Sequence, residues 1–316
     1  MAGNSTRAIL FALGANLAIS IAKGVAAYFT KSGAMLAETV HSLADCGNQL
    51  LLLLGMKQAV RPASPEHPLG EGKSVYFWSF LVAVMLFTVG GMFSLYEGVH
   101  KLQHPEPVTK WWWAVGVLSF SIVAEAISTR AALHEAAQER AGRSLWRWFR
   151  ESRKAELIVI VGENLAALFG LIVALVAIGL TVLTGDPLWD AIGTIVIGLL
   201  LIVVAVFVAR EVKALLIGQS IDPVRQAQMR AFLEARPEIG HLINLITLQL
   251  GNDVMVTVQA QMREEEATTR ALAEQIDVLE RDFKTNFPEV KWSFFEPDTK
   301  SESEESRIET NPTFAR

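Results

Sequence analysis

The sequence predicts a membrane all-α bundle of six transmembrane helices, followed by a small α+β domain and a polar tail. Three observations carry this reading. Six stretches are mostly apolar for about 20 residues, the length that crosses a hydrocarbon core. Hydrophobic residues make up 51% of the 316-residue chain and charged residues only 19%, where soluble domains carry about a quarter. Beyond Lys213 the long apolar runs stop, and short alternating strands and helix caps take their place.

The six runs are 9–28, 35–58, 76–99, 111–133, 157–183 and 188–208. Trp111, Trp112, Trp113 and Trp189 stand at their ends, where indole rings prefer the interface. The loops orient the bundle. On one side lie only Lys31, Lys101 and Lys110, with Asp186 and Asp190 between the last two runs. The other side carries Arg7, Lys57, Arg61, Lys73, Arg130, Arg140, Arg143, Arg147, Arg150, Arg153, Lys154, Arg210 and Lys213. The positive-inside rule then puts both termini in the cytoplasm or its organellar equivalent, and the expected membrane is a bacterial inner membrane. Met1 to Arg7 lacks a credible signal-cleavage site, so the first run is expected to be retained.

The expected domains are a six-span transmembrane domain over 1–215, an α+β domain over 216–297 and a disordered acidic tail over 298–316. In the second, Asp222-Pro223 starts a helix to about Arg236, since Asp caps and Pro suits the first helical position. Residues 243–250 and 254–262 read as strands around the turn Gly251-Asn252-Asp253. Thr268 or Thr269 caps a second helix to about Asn286, Pro288 follows it, and 290–295 is a third strand. The tail is rich in Glu and Ser.

Composition also excludes. A net charge of -5 argues against nucleic acid as a partner. One cysteine, Cys46, allows no internal disulfide and no multi-thiolate zinc, haem or iron–sulfur site. No His-Glu-x-x-His run, Gly-x-Ser-x-Gly elbow or P-loop occurs, which counts against an intramembrane enzyme. No cofactor is expected.

Ionisable residues inside spanning helices are costly and therefore tend to be functional. Span two carries Glu38, His41, Asp45 and Asn48, which share one helical face. His41 and Asp45 are four apart, so an imidazole nitrogen and a carboxylate oxygen can converge on one cation. That pair suits zinc, and also iron, cobalt or manganese. The competing reading is a His–Asp hydrogen bond that helps helices pack. In span five Glu163 is the natural third ligand. Asn164 offers a carbonyl oxygen or an ordinary interhelical hydrogen bond. Glu125 of span four, near Ser121 and Ser128, is a fourth ligand, a proton carrier, or a partner for Asn16 or Lys23. Lys23 is expected to offset a negative charge or reach toward an interface, and Glu97 to be solvated.

Several motifs resemble one family. Ser32-Gly33-Ala34-Met35-Leu36-Ala37-Glu38, continuing through His41-Ser42-Leu43-Ala44-Asp45, is similar to the second span of the cation diffusion facilitators. His67-Pro68-Leu69-Gly70 with Gly72-Lys73 resembles their loop between spans two and three. Gly218-Gln219-Ser220-Ile221-Asp222-Pro223 resembles their junction with the cytosolic domain. Glu163 through Gly170, and Gly185-Asp186-Pro187-Leu188-Trp189-Asp190, resemble the branch that includes an animal mitochondrial zinc exporter. The resemblance runs from about residue 7 to 297.

It implies a homodimer of six-span protomers, a ferredoxin-like cytosolic domain, and efflux of a divalent metal, zinc first, in exchange for protons. It implies a site between spans two and five, with His41 and Asp45 in the span-two ligand places. In better-studied members two span-five ligands stand where this chain has Ile160 and Asn164. The branch resembled here favours Glu163 instead. Glu38, Glu125, His67 and Glu71 are candidates for a secondary metal or a proton relay. In the loop only His67 matches a metal-binding set, with Ser64 and Glu71 at its other places. Of the cytosolic cluster of some members only His241 has a counterpart, with Gln259, Phe295 and Glu296 near the remaining places. The rivals are a structural or regulatory membrane protein of the same fold that transports nothing, and a carrier of manganese, iron or cobalt.

Overall fold

The computed structural model describes residues 2–140, 142–263 and 268–298, apart from the side chains of 2–12 and of residue 15. It divides into two compact units, one up to Leu216 and one from Ile217. The expected acidic tail lies outside the described residues beyond Asp298.

The first unit is helical. Its elements are α1 (Ala2–Thr30), α2 (Gly33–Ala59), α3 (Ser74–Met85), a π-helical stretch (Leu86–Met92), α4 (Phe93–Gln103), α5 (Trp111–Arg140), α6 (Leu145–Glu151), α7 (Ala155–Thr184) and α8 (Leu188–Ile217). Four helices among the described residues are long and apolar enough to cross a membrane: Ser74–Gln103, Trp111–Arg140, Ala155–Thr184 and Leu188–Ile217. The sequence suggests six. Helices α1 and α2 have the length, at 29 and 27 residues, but α2 is diluted by its stripe of Glu38, His41, Asp45 and Asn48. Many outward side chains are large and apolar, among them Val203 at 66% exposed, Ile127 at 67% and Leu183 at 84%. A surface of that kind suits hydrocarbon rather than water.

Span three departs from a plain α-helix. Its π-helical stretch contains Gly90 and Gly91 and joins α3 to α4 without a break. The glycines let this helix approach α8 backbone to backbone. A Cβ on Gly98 would lie 2.9 Å from the Ile195 nitrogen, and one on Gly198 would lie 2.8 Å from the Leu95 nitrogen. Small residues at such crossings are the usual route to close packing in membranes.

The start of α2 is held from a distance. Ser32 caps it, its Oγ accepting from the Met35 N–H at 3.1 Å. Asp190, in the first turn of α8, accepts from Ser32 Oγ at 2.5 Å and from the Gly33 N–H at 2.6 Å. The sequence reads Asp190 as a loop charge, yet it is 1% exposed. A carboxylate suits a helix N-terminus because the first N–H groups lack intrahelical partners and carry the positive end of the dipole.

The basic segment before α7 is read from sequence as loop, but it contains α6. Ser144 caps this helix by accepting from the Arg147 N–H, and Trp148 and Phe149 are buried against Val208, Val212 and neighbouring apolar residues.

The second unit runs α9 (Pro223–Glu234), β1 (Ile239–Leu250), β2 (Asp253–Met262), α10 (Thr269–Asn286) and β3 (Val290–Pro297). The sheet order is β1-β2-β3, with β1 antiparallel to β2 and β2 parallel to β3. Asp222 and Thr268 cap the two helices as their residue types suggest. Val254, Val256, Val258, Ala260 and Met262 alternate into the core with Met229, Leu233, Leu279 and Phe283. The first strand starts at Ile239, ahead of residue 243, through irregular register next to His241 and Leu242. Helix α9 stops at Glu234, short of Arg236, whose guanidinium instead pairs with Glu238 and Asp282.

Arg225 of α9 clamps Glu289, just before β3, with bonds of 2.5 and 3.1 Å. Partial burial acts to raise the Glu289 carboxyl, but the Arg225 bonds outweigh it and hold the group below its usual value of 4.5. A depressed carboxyl stabilises the fold above its unfolded value, and that contribution is lost as pH falls through the folded value. We therefore expect the stability advantage of the 217–298 fragment over its Glu289→Gln variant to be present at neutral pH. It should shrink below about pH 4.5 in urea titrations at stepped pH.

Candidate functional site

Helix α2 brings its polar stripe against α1 on one side and α7 on the other. Toward α1, Lys23 donates to Glu38 Oε2 at 3.1 Å and to Ser42 Oγ at 2.6 Å. The two charged side chains are 4% and 0% exposed. Lys23 thus neutralises a buried carboxylate, one of the two roles its position suggests. Glu38 Oε1 has no hydrogen-bond partner and lies against Gly170 of α7, where an added Cβ would meet it at 2.5 Å.

Toward α7, Asn48 donates to Glu163 Oε1 at 2.6 Å, and both residues are buried. Asp45 stands between these two contacts along the stripe. Its Oδ1 is 3.6 Å from His41 Nδ1, too long for a firm hydrogen bond, and both ring nitrogens of the buried His41 lack partners. Gly90 of the π-helical stretch passes beside this imidazole, an added Cβ there lying 3.9 Å from Nδ1. A residue without a side chain in a π segment gives the helix room to skirt the ring.

A cavity of about 60 Å³ joins these groups, with Lys23, Asp45, Glu125, Ser128, Glu163 and Asn164 in its wall. This is room for a few waters or a partly hydrated ion. Asp45 and Glu163, the two expected carboxylate ligands, share this wall, and His41 stands outside it, one turn behind Asp45. Asn164 faces the cavity but donates its amide to Ser128 Oγ at 3.0 Å, so it bonds between helices. Glu125 lines the same space as Asn16 and Lys23, the partners its position suggests. Among the described residues, no three His, Cys, Asp or Glu side chains are grouped closely enough to hold a metal ion.

The loop candidates lie apart from this cavity. His67 is exposed, and its backbone N–H bonds Ser64 Oγ at 3.1 Å within a turn. Glu71 pairs with Arg61 at 3.3 Å. In the second unit His241 is exposed and sits opposite Gln261, while Gln259 donates to Asp298 at 2.7 Å. Asn48 and Ser42 carry contacts the sequence did not assign. For Asn48 the signal was present, since it completes the stripe one turn past Asp45.

A bundle of lipid-length helices with carboxylates, an imidazole and a lysine buried along one interior stripe defines an integral membrane protein whose interior is built to meet cations. The model of the cation efflux transmembrane domain matches residues 9–217, and the chain belongs to that family, the cation diffusion facilitators. It is 35% identical over 231 residues to the human mitochondrial proton-coupled zinc antiporter SLC30A9, covering 72% of this chain and 41% of that protein. It is 34% identical over 232 residues to the mouse counterpart, with the same coverage. Metal tolerance protein C4 of Arabidopsis thaliana is 31% identical over 234 residues, 73% of this chain and 51% of that one. The chain therefore spans about half or less of the length of these relatives.

The buried Lys23–Glu38 pair makes a sharp prediction. Removing one partner leaves an uncompensated buried charge, which costs about 3–5 kcal/mol, while replacing both by apolar groups is often neutral. Lys23→Met should lower thermal stability in detergent strongly, and Lys23→Met with Glu38→Met should recover most of the loss. Additive losses in this cycle would mean the two charges are not coupled.

Proposed function

We propose that this protein exports a divalent cation, zinc first, in exchange for protons, by alternating access across a membrane. The observation that carries the reading is the sharing of one interior cavity wall by Asp45 and Glu163, one turn from an unpartnered imidazole. Family membership supports cation efflux, and the names of the human and mouse relatives supply zinc and proton coupling as the finer expectation.

The charge balance favours this assignment. Two ionised carboxylates cancel a divalent ion in a low-dielectric interior, and a neutral imidazole adds a nitrogen ligand that suits zinc. The ligands would come from α2 and α7, with His41, Asp45 and Glu163 converging on the ion. Holding metal requires deprotonated ligands, so protons arriving from the far side displace it. Asn48 orients Glu163, and Asn164 contributes to the wall rather than to the charge. The cavity lies about mid-span, lined by α1 from Asn16 to Lys23 and by α2 from Ser42 to Gln49. With both termini cytoplasmic, metal would reach it from the side of the Arg-rich ends.

We read α1 and α2 as the further two spans of a six-span protomer, and the second unit as the cytosolic domain of a homodimer. The human and mouse relatives are named as mitochondrial, so the expected bacterial inner membrane draws no support from them. An integral membrane protein is what the helices and the family support. Manganese, iron or cobalt would use the same donors, and a non-transporting scaffold is the reading that a flux measurement removes.

The test is metal flux into sealed vesicles under an imposed pH gradient, with a panel of divalent ions. His41→Ala and Asp45→Ala should each abolish zinc flux at equal insertion. Glu163→Gln should do nearly the same, whereas Asn164→Ala should weaken it only moderately. Asn164→Asp should tighten binding. Near-normal flux from Glu163→Gln, or equal damage from Asn164→Ala, would move the site away from Glu163.

A further inference from the structure

A second cavity, of about 340 Å³, opens at the other end of α1 and α2, where Tyr28 and Ser32 lie in its wall. It begins where the first one stops. Lys23 lines the inner cavity, and Gly24 and Ala27, within the next helical turn, line this outer one, with the Lys23–Glu38 pair beside the boundary. Its far wall is the end of α4, where His100 and His104 stand four residues apart. No part of the proposed transport step uses them.

We infer that this outer cavity is a second, weak binding site for the transported class of divalent cation, held by His100 and His104. The inference rests on the transport reading and on the orientation given above, which make this the release side. The two imidazole rings lie 5.0 Å apart at their centroids and are tilted by 31°. The His104 N–H still bonds the His100 carbonyl at 2.9 Å, so the pair keeps the spacing of one helical turn although the chain leaves the helix there. Two histidines four apart on one helix face can ligate a single zinc ion. The end of α4 adds partial negative charge from its terminal carbonyls, which favours a cation.

The remaining charges of the cavity do not oppose this. Lys101 is committed to the Lys31 carbonyl and lies 3.8 Å from Glu106. Lys31 lies over the Tyr28 ring at 5.2 Å. Glu97, one turn before His100, stands in the same wall. The donors form no group of three among the described residues, so water completes the coordination shell. Two protein ligands hold zinc less tightly than three or four. That weakness suits a place where an ion is handed to solution, since a tight exit site would retain it. The borderline nitrogen donors also favour zinc over calcium or magnesium at the mouth.

The experiment is zinc titration of the purified, untagged full-length protein in detergent, in competition with a chromophoric chelator. Wild type should bind one tight and one weaker equivalent per chain. His100→Ala with His104→Ala should lose the weaker equivalent alone, while His41→Ala with Asp45→Ala should lose the tight one alone. His100→Gln with His104→Gln serves where the alanine pair fails to fold. An outer variant that titrates like wild type, or that loses both equivalents, overturns the inference. If the outer variant loses one equivalent and the His41/Asp45 variant loses none, the outer site stands and the central assignment falls.

Discussion

The geometry of the interior depends on one carboxylate. Asp190 grips the first turn of α2 through Ser32 and Gly33, at the point where α8 begins. A helix turns by about 100° per residue, so fixing its first residues fixes the direction of every later side chain. Held this way, α2 presents Glu38 to α1 and Asn48 to α7, and places Asp45 between them. The end of α1 is fixed beside it, because Lys101 donates to the Lys31 carbonyl and Thr109 donates to those of Phe29 and Thr30. The release side of the proposed pathway is therefore tied by hydrogen bonds, while the inner cavity lies about mid-span.

Within this frame the buried charges are sorted by role. Lys23 and Glu38 cancel each other, which leaves Asp45 and Glu163 as the acids facing open space together with Glu125. On the proposed function, a divalent ion between Asp45 and Glu163 would offset the charge of those two carboxylates. In hydrocarbon surroundings, where an unpaired charge is expensive, acids left without a charge partner favour a bound cation, as the proposed function requires. The unpartnered imidazole of His41 points the same way, since buried polar groups in a finished core have partners. The glycines of span three let α4 and α8 pack with backbone contact and give His41 its space.

Much of this was legible residue by residue. The α2 stripe follows from spacing alone, and Glu163 stands out as a carboxylate in an apolar run. In the second unit Asp222, Thr268 and the alternating valines announce caps and strands before any contact is known. Lys23 was legible as a charge seeking an opposite, with Glu125 as the partner named for it, whereas the structure pairs it with Glu38. Asp190 and α6 were hidden by composition. Polar residues near a span end look like loop, and a basic run conceals the burial of Trp148 and Phe149.

The sequence by itself determined the solvent, the long helices of the first unit, the α+β character of the second and the residue types of the site. These follow from local periodicity and from the cost of charge in lipid, which no distant contact changes. The tertiary structure decided which charges meet. It paired Lys23 with Glu38, gave Glu163 to Asn48, turned Asn164 toward Ser128 and left His41 open. Such choices depend on how α1, α5 and α7 rotate against α2, and that rotation is set by packing and by the Asp190 anchor across 158 residues of chain.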